Sequence, residues 1–341
     1  KTTVKEMATA ILRHEGEVLA TAGNFNNEVG VPLTLLRLEP QHQFAVMELG
    51  ANHKGEISWT TSLAKPDAAI INNVAAAHLE GFGSLEGIFH AKSEIFEGLS
   101  EGGSAIVNAD NEFWPKWRER GIHNAFSIED QSQPYHARNV VLNNEGCAEF
   151  VLVTPQGELQ LTLAIPGRHN VANALAAAAG CLALGASLDS VKAGLALMAP
   201  VKGRFCVQRW GGLTLVDDTY NASVESVLAG IDALTAMGGF KVLVFGDMRE
   251  LGDESAEQHA RVGRHARECG LDAVLTVGEH SRHTADAAVG RHFDNKASLF
   301  EVLAQMINTH QEISILVKGA RGSRMEDIVK MVVDRQESAT C

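Results

Sequence analysis

Short apolar runs separated by helix-length stretches recur through this chain, and that alternation restricts its fold more than any other feature. FAVMEL (44–49), AAIINNV (68–74) and SAIVNAD (104–110) read as buried strands in the first part. LTLVDD (213–218), KVLVFGD (241–247), AVLTVG (273–278) and ISILVKG (313–319) do so in the second. Helices are predicted between them: 2–14, about 85–98, 169–185 and one ending near Met198, then 223–237, 255–269, 298–308 and 325–336. In the first of these, Val4, Met7, Ala8, Ile11 and Leu12 share one helical face. Strand–helix alternation of this kind implies mostly parallel sheets covered by helices on both faces.

One segment departs from the pattern. Residues 139–165 hold three β-rich stretches separated by NNEG and PQG turns, which predicts a small antiparallel meander inserted in an α/β frame. APVKGR (199–204) reads as a linker. The 341-residue length suits two domains, which we place at 1–200 and 201–341. A net charge of −13 leaves no basic stripe for nucleic acid. The five cysteines are scattered without a C-x-x-C pair, so neither a zinc framework nor disulfides are expected, and a reducing cytoplasm is. No apolar run is long enough to span a membrane.

Polar residues cluster where the predicted strands end, the place where open α/β sheets bind ligands. Glu48 ends FAVMEL, Asn72 and Asn73 end AAIINNV, and His78 follows in a Gly-rich turn. Glu48 suits a magnesium ion, and equally a helix cap or salt bridge. A lone histidine such as His78 is more often structural than a ligand. Lys92 lies on the partly apolar side of its helix, where an ammonium needs a partner or altered chemistry. It can instead reach solvent or pair with Glu94 or Glu48. Arg168, His169, Asn170 and Asn173 open the Ala-rich helix, and one Asn would suffice as a cap. In the second part Arg204 sits on a Gly-Arg turn. Asp217, Asp218, Tyr220 and Asn221 follow one strand, and Lys318, Arg321 and Arg324 follow the last. Basic groups there can receive a carboxylate. The chain opens on Lys1-Thr2-Thr3 followed at once by a helix. That is the tail of a phosphate-binding G-x-x-x-x-G-K-[ST] loop, or a plain polar helix start.

Taken together, AGNFNNEVGVPLTLL, ELGANHKGEI, NNVAAAHLEGFGSLEGI, AKSEIF, PGRHNVANALAAAA, DDTYNAS, GDMRELG and VKGAR resemble the Mur ligase family, in order and over nearly the whole chain. Ala320 stands where Ser is usual, and the Pro that often follows NAS is missing. The resemblance implies a central P-loop ATPase-type domain and a Rossmann-like C-terminal domain. It also implies an N-terminal domain and P-loop glycines upstream of Lys1, so the chain is expected to be a fragment.

The activity implied is ATP-dependent amide formation in peptidoglycan precursor synthesis, through an acyl phosphate. UDP-N-acetylmuramoyl-tripeptide and D-alanyl-D-alanine are the implied substrates, with ATP and Mg²⁺. By the same resemblance Lys1 holds the β- and γ-phosphates with Thr2 and Thr3 beside it. Thr2 and Glu48 hold one Mg²⁺, and His78 with a carbamylated Lys92 a second. Asn24 and Asn173 read the adenine, with His169 and Asn170 nearby. Arg204 reaches the phosphates, and Asp218 the ribose. Asn26, Asn27 and Asn73 line the substrate side. Lys318 and Arg321 hold the dipeptide carboxylate, with Tyr220 and Asn221 nearby. ATP contacts from both domains imply a rotation about 199–205. A monomer is expected. The alternatives are a Mur-type or folylpolyglutamate-type ligase with another acceptor, and a nucleotide-binding fragment without turnover.

Overall fold

The computed structural model describes residues 1–75, 79–143, 146–198 and 203–340. His78 and most of the expected hinge therefore lie outside the described residues. Two compact units emerge, one from Lys1–Ala75, Gly81–Asn143 and Cys147–Ala199, the other mainly from Pro200–Cys341.

In the first unit the opening helix, Thr2–Leu12, buries Val4, Met7, Ala8, Ile11 and Leu12, the face marked by their spacing. It packs on the Ala-rich helix His169–Ala183 and on Leu188–Ala196. The last contact is close: a Cβ on Gly194 would stand 2.5 Å from the backbone N and Cα of Ile11. Only glycine lets the two helices meet there. The buried alanines at 174 and 176–179 let His169–Ala183 sit deep against Ile106, Phe126, Phe150 and Leu152.

The sheet of this unit comes in two pieces. Val18–Ala20 pairs in parallel with Phe44–Val46. Ala68–Ile71, Ser104–Asn108, Asn124–Ser127 and Tyr135–Leu142 follow one another in parallel, and Cys147–Thr154 and Gly157–Pro166 continue the same sheet antiparallel. The meander begins at Tyr135, not 139, and is fused edge-on to the parallel strands. Strands expected over 44–49 and 68–74 stop at Val46 and Ile71. Each of these strands has a ladder on one side only among the described residues: Phe44–Val46 ends with its partner at Ala20, and Ala68–Ile71 ends one residue short of its partner's last, Asn108. Both border a cavity of about 620 Å³, lined by Phe44, Val46, Ile70, Leu12 and Leu184 and, on its polar side, Asn72.

The second unit is a six-stranded sheet in the order Arg291–Phe293, Ala273–Val277, Phe240–Gly246, Ile313–Lys318, Leu213–Asp218 and Cys206–Trp210. All pairs are parallel except the last. Side chains alternate across it. Leu243, Phe245, Val216 and Leu316 pack under Val224–Thr235 and Ser255–Glu268. Val242, Val244, Leu215 and Ile315 pack under Lys296–Thr309 and Glu326–Thr340. Every residue of Ile313–Lys318 is buried, as expected for a central strand covered on both faces.

Candidate active site

In the first unit the helix start and the strand ends converge on Glu48. Thr2 Oγ1 donates to Glu48 Oε2 at 2.7 Å, and Asn26 Nδ2 donates to Oε1 at 2.8 Å. The Glu48 backbone N–H is held by Thr21 Oγ1 at 2.9 Å. Glu48 is 6% exposed. Burial pushes its carboxyl pKa up, yet the Thr2 and Asn26 hydrogen bonds and the Lys1 charge prevail, and the group lies below the ordinary carboxylate range. Lys1 caps the helix as its first main-chain acceptor, Lys5 N–H reaching Lys1 O at 3.0 Å, and its side chain is exposed. Thr3 is half-buried on the next helical position.

Lys92 meets neither carboxylate offered to it by the sequence. Its Nζ donates to the Asn73 carbonyl at 2.7 Å, while Glu94 accepts from the backbone of Gly55 and Ser58. Loss of hydration, then repulsion from Lys1, brings its pKa down to about 7. An amine stripped of water beside a cation, and with no carboxylate partner among the described residues, is ready to lose its proton. Asn73 Oδ1 in turn accepts from Asn111 Nδ2 at 2.8 Å.

A chain of amides crosses the strand end. Asn72 Nδ2 donates to Asn173 Oδ1 at 2.9 Å, Asn173 Nδ2 to Asn170 Oδ1 at 2.8 Å, and Asn170 Nδ2 to Pro166 O at 2.7 Å. The two asparagines of the helix thus do not cap it; they tie its first turns to neighbouring strand ends. Asn72 Oδ1 is buried with no partner among the described residues. Gly167, at φ +102°, precedes this helix, and a Cβ there would lie 2.5 Å from the His169 ring. In the loop before the helix Gly30–Leu35, Asn24 is exposed, its carbonyl accepting from Asn26 N at 2.7 Å. Asn27 Oδ1 accepts from Gly30 N at 2.8 Å. Asn27 is therefore engaged in capping that helix.

The second unit carries its own polar cluster. Lys318, 2% exposed, pairs with Asp218 Oδ2 at 2.5 Å and donates to Asn221 O at 3.0 Å. Asp218 Oδ1 accepts from Phe205 N at 3.2 Å. The Arg204 guanidinium lies over the Tyr220 ring, 4.1 Å from its centre. Arg204 is flanked by Gly203 at φ +71° and Phe205 at φ +55°, backbone that a bulky side chain adopts only under constraint. Arg321 is largely exposed and touches Glu326 at 3.1 Å.

Sequence reasoning placed Glu48, Thr2 and Asn73 at strand or helix ends and Lys92 on the partly apolar side of its helix, and the structure pairs Thr2 with Glu48 and Lys92 with Asn73. It overlooked Thr21, which fixes the Glu48 backbone, and Asn111, which holds Asn73. It noted Asn72 without giving it a role; a polar residue at the end of a buried strand was the available signal. Thr2 and Glu48 offer a hydroxyl and a carboxylate oxygen on one buried spot, a hard oxygen set that fits Mg²⁺.

The Mur ligase middle domain matches residues 1–181, and the Mur ligase glutamate ligase domain matches residues 203–321. The chain is 50% identical to the "UDP-N-acetylmuramoyl-tripeptide--D-alanyl-D-alanine ligase" of Escherichia coli (strain K12), covering 100% of this chain and 76% of that protein. It is similar to a crystal structure of MurF from Acinetobacter baumannii, with 38% identity, a TM-score of 0.92, and 98% and 74% of the two chains covered. A MurF ligase from Thermotoga maritima in complex with ADP matches with 29% identity and a TM-score of 0.86, over 99% and 78%. With both family domains in order along its length, the chain belongs to the Mur ligase family.

Proposed function

We propose that the protein is an ATP-dependent ligase that joins D-alanyl-D-alanine to UDP-N-acetylmuramoyl-tripeptide in peptidoglycan precursor synthesis. The reading is carried by the Thr2 hydroxyl set on the buried Glu48 carboxylate directly after Lys1 at a helix start. The likeness to the Escherichia coli ligase supports the choice of substrates. The γ-phosphoryl group passes from ATP to a peptide carboxylate oxygen, and ADP leaves. The dipeptide amine then attacks the acyl carbon. A C–N bond forms, the C–O bond to phosphate breaks, and the amine gives up its proton. Phosphoryl transfer needs positioning and charge neutralisation above all.

Lys1 steadies the β- and γ-phosphates with Thr3 beside it, and Thr2 and Glu48 hold Mg²⁺. Mg²⁺ neutralises the phosphate oxygens when bound. Asn24, His169, Asn170 and Asn173 serve the adenine side; Asn26, Asn27 and Asn73 the peptide side. In the second unit Arg204 serves the phosphates and Asp218 the ribose. Lys318 is buried against Asp218, so it positions that carboxylate, and Arg321 takes the dipeptide carboxylate with Tyr220 and Asn221 nearby. The domain boundary falls at residue 200. Lys92 becomes a carbamate: the neutral Nζ attacks carbon dioxide, an N–C bond forms, and one proton leaves the nitrogen for water. Its low pKa and its contact with a neutral carbonyl favour that reaction. With ¹³C-bicarbonate, a carbamate resonance present in the wild type and missing in Lys92→Ala is expected; equal spectra would refute it.

The substrate reading is tested by phosphate release with UDP-N-acetylmuramoyl-tripeptide and ATP. D-alanyl-D-alanine should support it, and D-glutamate, diaminopimelate and L-glutamate should not. Release with another acceptor would move the protein to a sister activity. ADP binding without release for any acceptor would make it a nucleotide-binding module.

A further inference from the structure

The second unit holds a cluster that the ligase chemistry does not use. Asp232, on Val224–Thr235, meets His265, near the end of Ser255–Glu268, and Cys269, which caps that helix. His265 and Cys269 are four residues apart and share a helical face, with Cys269 N donating to His265 O at 2.9 Å. Cys269 Sγ lies 3.5 Å from His265 Nε2 and 3.7 Å from Asp232 Oδ1, and His265 Nε2 lies 2.7 Å from Asp232 Oδ1. One nitrogen, one sulfur and one oxygen ligand atom thus all lie within 4.8 Å of one another. Among the described residues no lysine or arginine pairs with Asp232, although it is flanked by a thiol that can also become an anion.

We propose that Asp232, His265 and Cys269 bind a borderline divalent metal ion of the Zn²⁺ class, with solvent in the fourth position. Imidazole and thiolate select zinc-like ions over Mg²⁺, which prefers an all-oxygen shell, so this site is chemically distinct from the Thr2–Glu48 spot. Two anionic ligands and a neutral imidazole cancel the charge of one divalent ion. On binding, the Cys269 S–H bond is lost, its proton goes to solvent, and sulfur bonds to the metal. His265, whose Nε2–H faces Asp232 Oδ1 in the metal-free protein, gives up that proton, takes one on Nδ1 from solvent and brings the Nε2 lone pair to the metal. Without metal the thiol stays protonated, because burial and then the Asp232 charge push its pKa up. That argues against a thiolate nucleophile here. Sequence spacing concealed the site, since Asp232 comes from a different helix.

The test is titration of the whole protein with Co²⁺ in excess Mg²⁺, so that oxygen sites are already filled. We expect a thiolate-to-cobalt charge-transfer band saturating at one equivalent and abolished by added Zn²⁺. Cys269→Ser should remove the band, and Cys206→Ser should retain it. Asp232→Asn keeps a hydrogen-bond acceptor for His265 but loses the charge, and should weaken binding at least tenfold. Ligase turnover should be unchanged in Cys269→Ser. No band in the wild-type protein, or a band of equal strength in Cys269→Ser, would overturn the proposal.

Discussion

Glu48 shows how one side chain can be both costly and settled. Its carboxylate is buried, but two donors point at it, one per oxygen. Glu48→Gln replaces one acceptor with a donor, leaving Thr2 or Asn26 facing an N–H. Hydrogen bonds to a charged group contribute about 1.5–3 kcal/mol, so ATP-dependent turnover should fall roughly 10- to 100-fold by steady-state assay. The acid limb should change too. Because the folded pKa lies below the ordinary glutamate value, the Glu48 contribution to stability is present above that ordinary value and is lost as pH falls through the folded one. Urea titrations of Glu48→Gln should therefore show a shallower loss of stability in acid than the wild type. Arg321 and Lys318 make a contrasting pair. Arg321 is exposed, so Arg321→Ala should raise KM for D-alanyl-D-alanine about 10-fold or more, leave KM for ATP alone and barely move Tm. Lys318→Met strands the Asp218 carboxylate without its buried partner, and should lower Tm clearly. A large Tm loss in Arg321→Ala would remove it from the acceptor site.

Long buried elements were the legible part of the fold. The strand expected at 213–218 spans Leu213–Asp218, and the helix expected at 255–269 spans Ser255–Glu268, because burial on a fixed face imposes its period on every residue. Val18–Ala20, Asn124–Ser127, Cys206–Trp210 and Arg291–Phe293 escaped notice. They are three to five residues long, so pairing rather than composition makes them strands. Within the site, residue types at element ends were readable and their partners were not: that Lys92 meets the Asn73 carbonyl and neither Glu94 nor Glu48 depends on a fold-level juxtaposition. The crossing of Thr2–Leu12 with Leu188–Ala196 carries a prediction at this scale. Gly194→Ala puts a methyl group on the Ile11 backbone and should cost about 1–3 kcal/mol in denaturant titrations. Since Thr2 rides on the displaced helix, nucleotide affinity should fall with stability. Unchanged stability would mean that the helices part without cost.

At the scale of the whole molecule, the charge of −13 sets the field in which anionic substrates must be received, so local cations such as Lys1 and Arg204 work against the average. The interrupted sheet of the first unit has a different consequence, in the rate at which main-chain protons trade with deuterium. In Phe44–Val46 the main-chain groups of Phe44 and Val46 are taken up by the neighbouring strand, through Phe44 N to Glu17 O and Thr21 N to Val46 O; the alternation of a strand turns Ala45 the other way. Asp67 O accepts from Ser104 N, so by the same alternation Ala69 and Ile71 face their ladder while Ala68 and Ile70 face the cavity. Amides of Ala45, Ala68 and Ile70 should therefore exchange far faster than those of Phe44, Val46, Ala69 and Ile71, although all lie in strands. Equal protection along both edges would show that another backbone fills the space between them, and would give the buried Asn72 Oδ1 a place to find its donor.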